Sequence, residues 1–195
     1  MRAQRSYHVG IFLIAAAVLM LEVALTRIFS VMLWNHYTFL VISTALLGFG
    51  TAGSIAALLT FDDRPEATRR FLALHCLLFG VTTIASVMLL TRLDVESTQI
   101  LVDRSNALKM GAMYLLSATP FFFAGLAICR LFTLHAVQIN TLYFADLVGA
   151  GIGAMLMPVL LEDVGAPTVV VLSCAVGAAA AVAFAGGAGR LLHGA

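Results

Sequence analysis

Charge is what this chain has least of. Only 11% of its 195 residues are Asp, Glu, Lys or Arg, against about 25% in soluble domains. The deficit runs the whole length, so no soluble subdomain hides behind the average. That excludes a soluble enzyme, a secreted domain and a nucleic-acid binder. The net charge of +1 predicts no strong general attraction to nucleic acid or acidic lipid. Cysteine is scarce too. Cys76, Cys129 and Cys174 sit in apolar runs without CxxC spacing, which offers neither a disulfide framework nor a zinc site and reads as small buried hydrophobes. No HxxxH or HExxH spacing is present, so no metal or cofactor site is predicted.

What is present is apolar sequence, 62% of the chain with mean hydropathy +1.03. About 20 apolar residues span a bilayer as a helix, and the runs predict six spans, at about 8–33, 38–60, 71–90, 110–132, 141–161 and 168–184. The first is too long for a signal-peptide core, contains Glu22 and Arg27, and lacks a clear small-residue cleavage site, so it reads as a retained helix. The fold class is therefore all-α, a single polytopic transmembrane bundle over 1–195. Residues 61–70 read as a polar loop and 91–109 as a surface loop with an amphipathic middle. The segment from Glu162 to Pro167 reads as a stop-and-restart turn. Trp34, His36 and Tyr37 suit an interfacial belt.

Basic residues set the expected orientation. With the N-terminus cytoplasmic, Arg2, Arg5, Arg64, Arg69, Arg70, Arg130 and Arg190 fall inside, and Arg92, Arg104 and Lys109 outside. The asymmetry predicts that both termini are cytoplasmic. Small residues crowd helices 2, 5 and 6, the last with Gly177 and many alanines, and Gly48, Gly50, Gly53, Gly149 and Gly153 are expected to form helix-packing faces, because helix association in lipid relies on close approach. The run Gly149 to Gly153 lacks the preceding strand of a dinucleotide-binding turn. Pro120, followed by Phe121-Phe122-Phe123, is expected to kink helix 4.

Ionisable groups in the hydrocarbon core are costly and ask for a reason. Glu22 lies near the middle of helix 1, and Arg27 is rotated from it by about 140°, so the two do not share a face. Arg27 is placed to snorkel outward. Glu22 is not, so it has a partner on another helix or carries a proton. Asp146 is expected one turn inside helix 5, at a depth similar to His75 on helix 3. A His75–Asp146 contact, Arg130 pairing with Asp146, and an anion at a helix start are the alternatives there. His75 alone reads as a packing residue.

Four segments in order carry a resemblance. They are Leu21-Glu22-Val23-Ala24-Leu25-Thr26-Arg27, Trp34-Asn35-His36-Tyr37 leading into Gly48-Phe49-Gly50, Pro120 to Leu126, and Leu142 to Gly153 with Tyr143 and Asp146. In this spacing the chain resembles the membrane domain of the polytopic spermidine synthase-like proteins, described as fused transporter-like and spermidine synthase proteins. The resemblance implies a helix bundle joined or partnered to a soluble synthase-like domain, which has no counterpart in this sequence. It therefore assigns no aminopropyl transfer here.

Two roles follow as expectations. The first is a non-catalytic membrane module, in the bilayer of a bacterial inner membrane, that anchors or partners a synthase-like enzyme or packs with other membrane subunits. The second is a small transporter or permease half for a cationic solute, working as an oligomer, with Glu22 and Asp146 as counter-charges that would suit a polyamine. Against the second, no inverted repeat of helices 1–3 is visible in helices 4–6. A membrane enzyme would need a convergent nucleophile or metal set, and beyond His75, Asp146 and Glu22 none is legible.

Overall fold

The computed structural model describes residues 2–32, 39–61, 64–92 and 104–186. Six helices are each long and apolar enough to cross a membrane. They are α1 (Arg2–Met32), α2 (Phe39–Leu58), α3 (Pro65–Leu90), α4 (Arg104–Leu134), α5 (Ile139–Asp163) and α6 (Ala166–Ala185), with a 3-10 turn at Ala136–Gln138 before α5. Among the described residues no strand occurs. The chain is a multi-pass helical bundle.

Three helices begin well before their expected starts. α1 starts at Arg2 rather than near His8. Residues 65–70, expected in a loop, form the first turns of α3, because Pro65 stands at a helix start, where its missing N–H costs nothing. Glu66 in that first turn suits the positive end of the dipole. Residues 104–109, expected in the surface loop, are already α4, and Asn106 there is buried. The rest of that loop (93–103), the Trp34, Asn35, His36 and Tyr37 turn, Asp62, Asp63 and the tail holding Arg190 lie outside the described residues. Between α5 and α6 the chain reverses at Gly165, whose φ of 78° suits glycine alone without strain. Pro167 then opens α6.

The packing has a regularity that is not readily visible in the sequence. α1 packs chiefly on α5 and α6, α4 packs chiefly on α2 and α3, and α3 and α6 pack on each other. Exchanging α1–α3 with α4–α6 leaves that pattern unchanged. Burial follows the same pairing: 61% and 50% of the apolar windows of α1 and α4 are buried, 39% and 44% for α3 and α6, and only 28% and 17% for α2 and α5. Successive spans alternate in direction, so α4 runs opposite to α1. The contacts and burial thus have the pattern of an inverted three-plus-three repeat.

Close contacts fix the register of the repeat. A Cβ on Gly48 would sit 2.6 Å from the Ala118 carbonyl oxygen and from Phe121 Cβ of α4; a Cβ on Gly149 would strike the backbone of Phe12 in α1. One turn on, Ala52 meets Gly125, and Gly153 meets Ala16. Gly80 faces Cys174, while Gly177 faces Phe79 and Cys76. Gly48, Gly149 and Gly153 are therefore packing glycines as expected. Gly50 and Gly53 are not, since nothing lies within 4 Å of a Cβ on either. At 100° per residue they turn away from the Gly48 face, which Ala52 continues.

Pro120 is buried in α4, which continues helical on either side of it. Proline removes the hydrogen bond to the carbonyl four residues back, here that of Leu116. Ser86 Oγ of α3 donates to that carbonyl at 2.7 Å, a side-chain substitute of the kind that membrane helices use.

Candidate functional site

Glu22 and Asp146 line one cleft of about 300 Å³. Its α1 side is Ala15, Val18, Leu19 and Glu22; α2 supplies Ile42, Ala45, Leu46 and Phe49; α4 adds Ile128, and α5 adds Asp146 and Ala150. In the register set by the glycines, Ala45 corresponds to Asp146, Phe49 to Ala150, and Leu19 to Ile128. The cleft therefore draws three corresponding pairs of residues from the two halves. Its helices are the central pair α1 and α4 and the exposed pair α2 and α5.

Each carboxylate reaches the cleft for a local reason. Residues 15, 18, 19 and 22 recur at helical spacing, so Glu22 shares a stripe with the small and apolar residues below it. Asp146 precedes Gly149 by three residues and so lies close to the face that packs on α1. The described residues offer neither carboxylate a hydrogen bond or an ion pair. The Thr26 hydroxyl donates to the Glu22 backbone carbonyl at 2.8 Å, not to its side chain.

The two groups stand at opposite ends of the cleft. Gly149 and Gly153 abut Phe12 and Ala16, so α1 and α5 run parallel. Asp146 lies one turn before Gly149, and Glu22 lies six residues beyond Ala16. At 1.5 Å per residue they are more than about 10 Å apart along the bundle. That is too far to share a proton, which needs carboxylates roughly 3 Å apart, and too far to grip one small ion between them.

The other expected site residues fall elsewhere. Asp146 follows the start of α5 by seven residues, two turns rather than one, and the helix dipole acts mainly within the first turn. The reading of Asp146 as a helix-start anion is corrected accordingly. The expected His75–Asp146 contact does not form. His75 Nδ1 lies 2.8 Å from the Phe71 carbonyl oxygen, and the ring stacks on Phe71 at 3.8 Å, with Phe123 at 6.0 Å. It is a packing residue between α3 and α4. Arg130, the other expected partner of Asp146, is buried against α3, donating to Thr68 Oγ1 at 3.4 Å, with its guanidinium 4.6 Å from the Phe61 ring centroid. Arg27 is exposed on α1; the α1–α5 register puts it level with the far end of α5, at the bundle's rim. Among the described residues no group of three metal-ligating side chains converges.

Sequence reasoning missed Ala45, Phe49 and Ile128 as cleft residues. A signal existed: Leu46-Leu47-Gly48-Phe49-Gly50 and Leu147-Val148-Gly149-Ala150-Gly151 are the same stretch of the two repeats, identical at the leucine and both glycines. No family model, curated protein or solved structure matches this chain.

Proposed function

We propose that this chain is one half of a membrane transport unit for a cationic solute, working as an oligomer, with Glu22 and Asp146 as the counter-charges. The observation that carries this reading is the pair of carboxylates, without hydrogen-bond or ion-pair partners among the described residues, in a cleft between two halves that pack in the pattern of an inverted repeat. An acidic side chain at the centre of a membrane helix costs at least about 2.5–3.5 kcal/mol on insertion scales. A cleft with two uncompensated carboxylates inside the span, one on either side of the middle, is stabilised by a positively charged occupant. Inverted repeats with a binding site near the membrane midplane at their interface are the layout of many secondary transporters. α2 and α5, the least buried helices, flank the cleft, which suits closure by a second six-helix unit.

Arg5, Arg64, Arg69, Arg70 and Arg130 gather at one end of the bundle, which supports cytoplasmic termini. One observation favours a second reading, a non-catalytic module that anchors or partners a spermidine synthase-like enzyme. Gly50 and Gly53 on α2 and Gly151 on α5 face open space, and small residues on an exposed membrane face permit close approach of another helix.

The test is uptake into proteoliposomes, with a diamine and spermidine as candidate cations and sodium and potassium as small-ion comparisons. Glu22→Gln and Asp146→Asn each lower uptake of one of these at least tenfold. Uptake of every cation unchanged in the double variant refutes the transport reading. Gly151→Leu that leaves transport intact but releases a co-purifying protein would support the partner reading instead.

A further inference from the structure

The net charge of the chain hides a local concentration of positive charge. At the end of the bundle that holds the starts of α1 and α3 and the end of α6, a second cavity of about 480 Å³ is lined by Glu66, Arg69, Arg70, Leu74 and Leu77 of α3 and by Ala185 of α6, among others. Arg69 is only 8% exposed. Its guanidinium carbon lies 5.9 Å from the centroid of the Tyr7 ring of α1. Neither Arg69 nor Arg70 has a hydrogen bond or ion pair among the described residues. Glu66, one turn before Arg70, pairs with neither of them.

A guanidinium that is nine-tenths buried has lost most of its hydration, and an aromatic face replaces only part of it. Its five donors still call for an acceptor. The cavity also has a direction. Leu74 and Leu77 follow Arg70 at helical spacing, are 53% and 49% exposed, and continue the cavity from the arginines toward the hydrocarbon. The ligand that fits is anionic at the bundle's rim and apolar along α3. Two arginines and Glu66 give the site one net positive charge, which matches a singly charged phosphodiester.

We propose that this cavity binds a monoanionic phospholipid, its phosphate between Arg69 and Arg70 and an acyl chain along Leu74 and Leu77. Basic pockets between membrane helices at one face of the bilayer serve this purpose. Arginine's planar fork can engage two phosphate oxygens at once. The site lies on α3 and α6, apart from the carboxylate cleft, and does not depend on the transport reading.

The experiment uses the whole chain in a neutral detergent. Phosphatidylglycerol, phosphatidylcholine of the same acyl chains and inorganic phosphate are compared by native mass spectrometry and by the thermal unfolding midpoint. Phosphatidylglycerol alone is expected to remain bound and to raise the midpoint. Arg69→Gln weakens that retention by about tenfold or more, the loss of a charge-assisted contact. Arg70→Gln, at an exposed position, weakens it in a protein that still folds should Arg69→Gln not. Arg27→Gln leaves it unchanged. Equal retention of phosphatidylcholine, a full midpoint shift from inorganic phosphate alone, or undiminished retention in the Arg70→Gln variant would each overturn the proposal.

Discussion

Alanine at five glycines separates the two faces of α2 and α5 and tests the repeat directly. A Cβ at Gly153 would lie 2.6 Å from the Ala16 carbonyl oxygen and 2.9 Å from Ala16 Cα. Both are backbone atoms of a packed helix, so relief requires α1 and α5 to separate by several tenths of an ångström or more. Overpacking of this kind costs about 1–3 kcal/mol, and the gain in helix propensity from Gly to Ala returns about 1 kcal/mol. Gly153→Ala is therefore expected to destabilise by up to about 2 kcal/mol. Gly149→Ala, against Phe12, follows suit. Gly48→Ala, whose Cβ would meet Ala118 and Phe121 at 2.6 Å, does the same in the other repeat. Gly50→Ala and Gly151→Ala, with nothing within 4 Å, are neutral or stabilising by up to about 1 kcal/mol. Equilibrium unfolding in mixed neutral and denaturing micelles, followed by circular dichroism, reads the order. Gly151→Ala as damaging as Gly153→Ala would refute the helix faces. A harmless Gly48→Ala beside a damaging Gly153→Ala would refute the repeat.

Further outcomes follow from single contacts. Arg130→Leu removes the Thr68 hydrogen bond and the contact with Phe61 and is expected to lower stability by about 2 kcal/mol, measured in the same unfolding assay. Tyr114→Phe removes a 3.2 Å hydrogen bond from α4 to the Ser43 carbonyl, and should cost about 0.6 kcal/mol, the average for such bonds in membrane bundles. An apolar maleimide in detergent should label Cys129, which is partly exposed, before Cys76 and Cys174, which are buried, with mass spectrometry reading the order. Early labelling of Cys76 would contradict the α3–α6 contact.

The six helices were legible because lipid leaves the backbone few options and a span needs about 20 apolar residues. Their ends were less so. Polar residues 65–70 and 104–109 read as loop by composition, yet a proline at the first helical position and the lack of any breaker before Lys109 make both helical. Glu22 and Asp146 stood out singly by their cost in lipid, but their convergence depends on which helices are neighbours. α1 packs chiefly on α5 and α6 rather than on α2, its neighbour in sequence, and hydropathy carries no record of that. The His75–Asp146 expectation failed on the same point. It rested on equal depth, and depth says nothing of adjacency around the bundle. The inverted repeat left only a short echo around Gly48 and Gly149, because helix packing fixes the small residues at the contacts and leaves the lipid-facing ones free to differ.

The link between Pro120 and Ser86 makes a claim about compensation that a double-mutant cycle can decide. If Ser86 Oγ occupies the Leu116 carbonyl because Pro120 cannot, the two residues form one unit. Ser86→Ala alone leaves that carbonyl unpaired inside the bundle, a loss of about 1–2 kcal/mol. Pro120→Ala supplies an N–H four residues beyond Leu116, so the helix can close its own bond. In that background Ser86→Ala should cost less than about 0.5 kcal/mol. The coupling energy is then about 1 kcal/mol, above the few tenths expected of independent sites. Any change in packing around residue 120 is common to both Pro120→Ala variants and cancels in the cycle. Additive effects would mean that Ser86 stabilises the α3–α4 contact for reasons unrelated to the proline. Coupling would mean that this contact is specified by a break in α4 and the side chain that fills it.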